Sequence, residues 1–175
     1  MKTTLSRLLL CAAMLTFLGD DCSGLAVENG SFRGWQDDGK PGAWEVTTGS
    51  IRKASTWDDS DPAVELVDTP TEIVQKVSGT ATCGRVTIMG KIDASAGVTV
   101  STTTGAKIPA LDWESYTVYL NFSGTPIDSG ATTIVGPQER AGNTLKIRKT
   151  GEGTAIIAIV TVASASGCGP STAIP

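Results

Sequence analysis

Arg85-Val86-Thr87-Ile88-Met89-Gly90-Lys91-Ile92 reads with a period of two: Val86, Ile88 and Ile92 fall on one side, Arg85, Thr87 and Lys91 on the other. That is the pattern of a strand with one face against a core and one in water. Tyr116–Phe122 repeats it, with Tyr116, Val118, Leu120 and Phe122 inward and Tyr119 facing solvent. Ile156–Val162 is apolar on both faces, which suits a strand in the middle of a sheet or at a tight sandwich seam.

Working outward, further strands are expected at Trp44–Arg52, Ala63–Val67, Thr71–Val77, Val98–Thr103 and Leu145–Lys149, with a short one at Thr132–Val135. Gly and Pro punctuate the chain, and no segment of helical length carries an apolar period of 3.6 residues. The expectation is an all-β chain folded as an antiparallel β-sandwich of eight or nine strands, with almost no helix. Ser123–Asn143, rich in Gly and Pro, reads as a long loop, and residues 169–175 as a flexible tail after a domain spanning 27–168.

Residues 1–26 have the build of a cleavable export signal: Lys2 and Arg7, an apolar stretch from Leu8 to Leu18, and small residues before a cut after Ala26. The apolar stretch is too short to span a bilayer, and Ala155–Ala163 has the length of a strand. A lipid-anchor signal needs a Cys after a small residue, whereas Cys11 follows leucines and Cys22 follows Asp21. Removal of 1–26 takes two of the 14 basic and two of the 18 acidic residues, so the net charge stays at −4. That balance argues against a nucleic-acid partner. Secretion, to the exterior or a periplasm, is the expected destination.

Cys83 and Cys168 then remain as one pair. A disulfide between them would close a long loop and add about 2–4 kcal/mol; two buried free thiols are the alternative.

The chain has no histidine, which removes Ser/His/Asp and Cys/His nucleophiles and every histidine metal ligand. Glu45, Glu65, Glu72 and Glu114 could supply the two carboxylates of a glycosidase, but alternation reads Glu65 and Glu72 as solvated faces. Trp57-Asp58-Asp59-Ser60-Asp61 gathers carboxylates in a short loop, as a calcium site would, yet lacks the Gly and distal Glu of the helical calcium loop; a solvated turn before Pro62 explains it more simply. Asp37 and Asp38, ahead of Gly39, read likewise as a turn. Aromatics are only 5% of the chain, so each Trp has to be read separately. Trp35, Trp44 and Trp113 lie at strand edges, where core or rim packing is expected. Trp57 stands in a polar loop with little to pack against, and is the leading candidate for stacking on a ligand. Asn29-Gly30-Ser31 and Asn121-Phe122-Ser123 are sequons, the first equally a turn signal.

Glu28-Asn29-Gly30-Ser31-Phe32, then Trp35, then Pro41-Gly42-Ala43-Trp44 resembles the start of carbohydrate-binding modules with the galactose-binding-like jelly-roll fold. Ile73-Val74-Gln75-Lys76-Val77 is similar to that family's strand with a central Gln, and Trp113-Glu114-Ser115-Tyr116-Thr117-Val118 to its Trp-led strand. The resemblance implies a jelly roll over most of residues 27–163. Arg33 stands where the family has a Glu tied to a structural calcium, so that calcium is not carried over and no cofactor is expected. No catalytic domain accompanies the segment, and adhesin or virion surface domains use the same fold for assembly. Two functions follow. The first is a secreted, non-catalytic glycan-binding domain, with Trp57 and Tyr119 as stacking platforms and Gln36, Asp58 and Asp59 bonding to hydroxyls. The second is a structural subunit of an extracellular fibre, surface layer or particle shell, with homo-oligomers.

Overall fold

The computed structural model describes residues 25–59, 61–78, 83–102, 105–122 and 144–165. The strand expected at Thr132–Val135, the loop Ser123–Asn143, Cys168 and the tail lie outside them. Ten strands form: β1 Glu45–Thr48, β2 Ile51–Ser55, β3 Pro62–Leu66, β4 Thr71–Lys76, β5 Cys83–Ile92, β6 Thr99–Ser101, β7 Gly105–Lys107, β8 Leu111–Asn121, β9 Thr144–Lys149 and β10 Ala155–Ser164. One 3-10 turn, Ala94–Ala96, is the helical element among the described residues. No helix there is long and apolar enough to cross a membrane.

The strands make two antiparallel five-stranded sheets, ordered β1-β4-β9-β6-β7 and β2-β3-β10-β5-β8. Numbering β3 to β10 as one to eight gives first-eighth-third-sixth in one sheet and second-seventh-fourth-fifth in the other. This is the interleaved pair of Greek keys that defines a jelly roll. β1 and β2 extend one edge of each sheet. The all-β sandwich expected from the sequence is therefore the fold.

The inward phases are those the alternation gave. Val86 and Ile88 of β5, Val118 and Leu120 of β8, and Ile157 and Val160 of β10 pack against Ile73 of β4, Val100 of β6, and Leu145 and Ile147 of β9 in one buried cluster. Each such side chain contributes roughly 1.5–3 kcal/mol by leaving water. Lys149 shares the inward phase of β9, and its ammonium donates to the Leu66 and Val67 carbonyls at 3.1 and 3.0 Å, which satisfies a buried cation.

Some boundaries differ from expectation. Trp44–Arg52 is two strands in different sheets, because Gly49 takes φ +69° and turns the chain between them. The segment expected from Tyr116 begins at Leu111, and the strand expected over Val98–Thr103 is short and followed by β7, which the pattern did not signal. Among the described residues these differences raise the eight expected strands to ten.

β10 lies mid-sheet, as its apolar faces required. It pairs with β5 from Ala155↔Ile92 to Ile157↔Gly90 and resumes at Ile159↔Met89, so Ala158 is an extra residue. The bulge flips the phase: Ala155 and Ile157 point inward before it, Val160 and Val162 after it. Pairing with β3 covers Ile156 and Ile157, and beyond it the Val160 N–H donates to the Gly30 carbonyl at 2.7 Å. A Cβ at residue 30 would run into the Val160 carbonyl, so glycine is required at this close approach.

The segment before β1 is clasped to the sandwich. Phe32 is fully buried against Trp44, with ring centroids 5.3 Å apart, and the Trp44 indole N–H donates to the Asn29 carbonyl at 3.3 Å. Gln75, buried on β4, donates to the Glu28 carbonyl at 2.6 Å. The Asn29 side chain donates to the Gly34 and Gly42 carbonyls and accepts from the Gly34 N–H, each at 2.9 Å, with its own φ at +48°. The clasp starts at Leu25, which is buried in the core with its N–H on Ser164 Oγ at 2.9 Å, and continues through Ala26, bonded twice to Ser78. The cut expected after Ala26 would take Leu25 out of this core.

The Asn29 amide is thus a loop staple, and both halves of its sequon can be tested separately. Asn29→Ala should lower the unfolding free energy by roughly 1–3 kcal/mol in urea titration. Ser31→Ala, which equally destroys the sequon, should leave it within about 0.5 kcal/mol.

Candidate binding face

Residues directly opposite one another in adjacent strands share a face. On the outer side of β10, β5 and β8, the register therefore builds three rows: Ala163–Arg85–Tyr119, Thr161–Thr87–Thr117 and Ile159–Met89–Ser115. Tyr119 is 41% exposed. In the middle row the Thr87 and Thr117 hydroxyls lie 2.9 Å apart and hydrogen-bond across the strands. At the far end comes Lys91 opposite Asp112.

A second bulge sits on β8. Lys91 pairs with Asp112 and Gly90 with Glu114, leaving Trp113 as the extra residue at φ +59°. The two bulges flank β5 at the same level, one on each side. Bulges re-aim side chains, and here the second lets the Trp113 ring meet that of Trp57, edge to face, at 5.9 Å and 65°.

Trp57 comes from the loop joining β2 to β3. The Thr56 N–H donates to the Asp61 carbonyl at 3.0 Å, and the Asp59 N–H to the Thr56 carbonyl at 3.1 Å with φ +56°. The Thr56 hydroxyl donates to Asp58 at 2.8 Å, and Arg33 ties the loop to the N-terminal segment through a 2.6 Å ion pair with Asp61. So held, the loop overhangs the sheet. Beneath it is a cleft of about 130 Å³ lined by Arg33, Trp57, Asp58, Met89, Ala158 and Ile159. Trp57 remains 62% exposed. The Trp pair and Tyr119 thus lie at opposite ends of one face, roughly 17 Å apart at 3.2–3.4 Å per residue along β8.

The structure therefore joins Trp57, Asp58 and Tyr119 to one surface. Asp59 is exposed on the same loop but does not line the cleft. Gln36 stands apart in the turn to Lys40, its N–H donating to the Lys40 carbonyl at 2.8 Å, with no described contact to the cleft. Trp44 is core and Trp35 is rim, as expected, but Trp113 is not in the core cluster: half-buried, it packs edge to face against the exposed Trp57. Its bulge depends on strand pairing, which leaves no local signal.

Asp58 and Asp61 are turned onto Thr56 and Arg33, and no group of three carboxylates or thiols converges on a metal position among the described residues. Glu65 lies on the outer side of one sheet, held by Arg52 at 2.6 Å, and Glu72 on the outer side of the other, accepting from the Thr47 hydroxyl at 2.7 Å. The sandwich separates these two, so they cannot act as a glycosidase pair.

No family model and no curated protein matches the chain. Among solved structures it is similar to the carbohydrate-binding module TmCBM61 in complex with β-1,4-galactotriose: 14% identity, 78% of this chain and 95% of that one, TM-score 0.44. It is also similar to the enzymatically active domain of tailspike protein 4 from bacteriophage CBA120, at 13% identity over 78% of this chain, TM-score 0.45. The matched region is 21% of that tailspike chain, so this chain spans about a fifth of its length. What this chain does has to rest on its own surface.

The Trp57–Trp113 contact predicts an exciton couplet in far-UV circular dichroism, from the strong indole transitions. Trp57→Phe and Trp113→Phe should each abolish it to the same extent, whereas Trp35→Phe should leave it in place.

Proposed function

We propose that this is a secreted, non-catalytic glycan-binding domain whose ligand lies along the outer face of β10, β5 and β8. The observation that carries this is one exposed face with aromatic stations at both ends, Trp57 with Trp113 and Tyr119, joined by the Thr161–Thr87–Thr117 row. A sugar ring offers an apolar C–H face to an aromatic ring and hydroxyls around its rim. Thr and Ser hydroxyls both donate and accept, as that rim requires. Asp58 at the cleft supplies a further acceptor.

A fibre that grows by adding subunits strand to strand would need an unprotected sheet edge. β8 is 11 residues long and pairs with β5 alone among the described residues. The bulge at Trp113, between Asp112 and Glu114, interrupts that edge, which weighs against open-ended assembly.

The test is a glycan array followed by calorimetric titration of the ligands found. Losing one stacking station removes about 0.5–1.5 kcal/mol, so Trp57→Ala and Tyr119→Ala should each weaken binding up to about tenfold. Tyr119 is exposed, so Tyr119→Ala should not move the unfolding midpoint, whereas Trp57→Ala also gives up the Trp113 contact and should lower it slightly. Binding unchanged in both variants would remove the proposal.

Export and the disulfide belong to the same proposal. Cys83 is buried at the start of β5 and is not a free thiol, and Cys168 is the proposed partner. Because Leu25 and Ala26 are built into the clasp, the mature chain is proposed to begin at or before Leu25. Intact mass of the secreted protein should place its first residue there, and Cys83 should take up an alkylating reagent only after reduction. A mature chain starting at Val27, or Cys83 alkylated without reductant, would contradict this.

A further inference from the structure

We propose that the glycan is anionic, and that Arg85 takes its carboxylate or sulfate while Tyr119 carries the sugar ring. The inference rests on the reading of this face as a glycan site and names the ligand class. Arg85 on β5 and Tyr119 on β8 are directly opposite and both exposed. Side chains so placed start about 4.5–5.5 Å apart, which lets one pyranose ring lie over Tyr119 with its charged substituent on the neighbouring strand.

What singles out Arg85 is its freedom. The other arginines on this side are used internally: Arg52 is held to Glu65 and Arg33 to Asp61, each at 2.6 Å. Among the described residues Arg85 makes no ion pair. Its row holds Ala163 and Tyr119, and the next holds three threonines, so no carboxylate of these strands neutralises it. At the opposite end Lys91 faces Asp112 and Arg33 pairs with Asp61, while Asp58 and Asp59 of the Trp57 loop add negative charge. The face is therefore neutral along its middle and positive at the Tyr119 end, on a chain of net charge −4. Attraction for an anion is local to Arg85. A guanidinium presents a planar fork of donors matching a carboxylate or sulfate edge, which an ammonium does not reproduce.

The test titrates the full-length secreted protein with polygalacturonate, its methyl ester, dextran sulfate and dextran. At least one acidic polymer should bind about tenfold or more tightly than its neutral counterpart. That preference should vanish in Arg85→Gln, survive in part in Arg85→Lys, and weaken as salt is raised. The melting temperature should be the same for all three proteins, since Arg85 is exposed and makes no ion pair among the described residues. Carboxylate and sulfate sources are separated by which acidic polymer shows the preference. Neutral polymers binding as tightly as acidic ones, Arg85→Gln without effect, or no binding of either acidic polymer would each overturn the inference. Tyr119→Ala and Trp57→Ala in the same titrations separate the two failures. If they weaken binding of a neutral polymer, the face reading stands and only the anionic class falls.

Discussion

β10 carries apolar residues on both of its faces, and a single inserted residue decides which of them reach the core. A strand of period two running from Ala155 to Ser164 would send Ile157 inward and Val160 outward. The bulge at Ala158 turns Val160 and Val162 back into the core and sets Ile159 and Thr161 beside Met89 and Thr87 on the outer side. The core and the candidate face are thus two sides of one register. On the other flank of β5 the β8 bulge works at the same level, turning the Trp113 ring towards Trp57. Without these two irregularities the outer face would have neither its ordered rows nor its aromatic end.

The N-terminal clasp completes β10 where β3 stops. Gly30 provides the carbonyl that Val160 needs, Phe32 plugs the sandwich against Trp44, and Asn29 and Gln75 hold the segment in place. Glu28 to Phe32, Trp44 and Gln75, which carry the first part of the family resemblance, have structural roles here, whereas its Trp113–Val118 stretch lies on β8 at the candidate face. A motif made of clasp residues can therefore report a jelly roll reliably and say little about what the jelly roll binds.

Much of the fold was legible because alternation is a property of single strands. Val86, Ile88, Val118, Leu120 and the doubly apolar β10 could be placed from the pattern alone, and Tyr119 faces solvent as its phase required. The split of Trp44–Arg52 at Gly49 and the short β7 escaped, since each depends on where the chain changes sheet. The site was half legible. Trp57 stood out as a large ring in a polar loop. Trp113 reads as edge packing because the bulge that turns its half-buried ring onto Trp57 is defined by Lys91 and Gly90 on the neighbouring strand. The threonine row was invisible for the same reason: Thr161, Thr87 and Thr117 are far apart in sequence and meet only through register. Gln36, read as a hydroxyl partner beside Trp57, lies elsewhere, in the turn to Lys40.

The central claim is that ligand lies across the outer face of β10, β5 and β8, and amide chemical-shift mapping tests it residue by residue. On titration with a glycan that binds, the account predicts shifts at Arg85, Thr87, Thr117, Tyr119 and Thr161 and at the Trp57 and Trp113 indoles. Val74 and Lys146, on the outer side of the opposite sheet, should stay still. Shifts confined to that opposite sheet, or to the Gln36 turn, would contradict it.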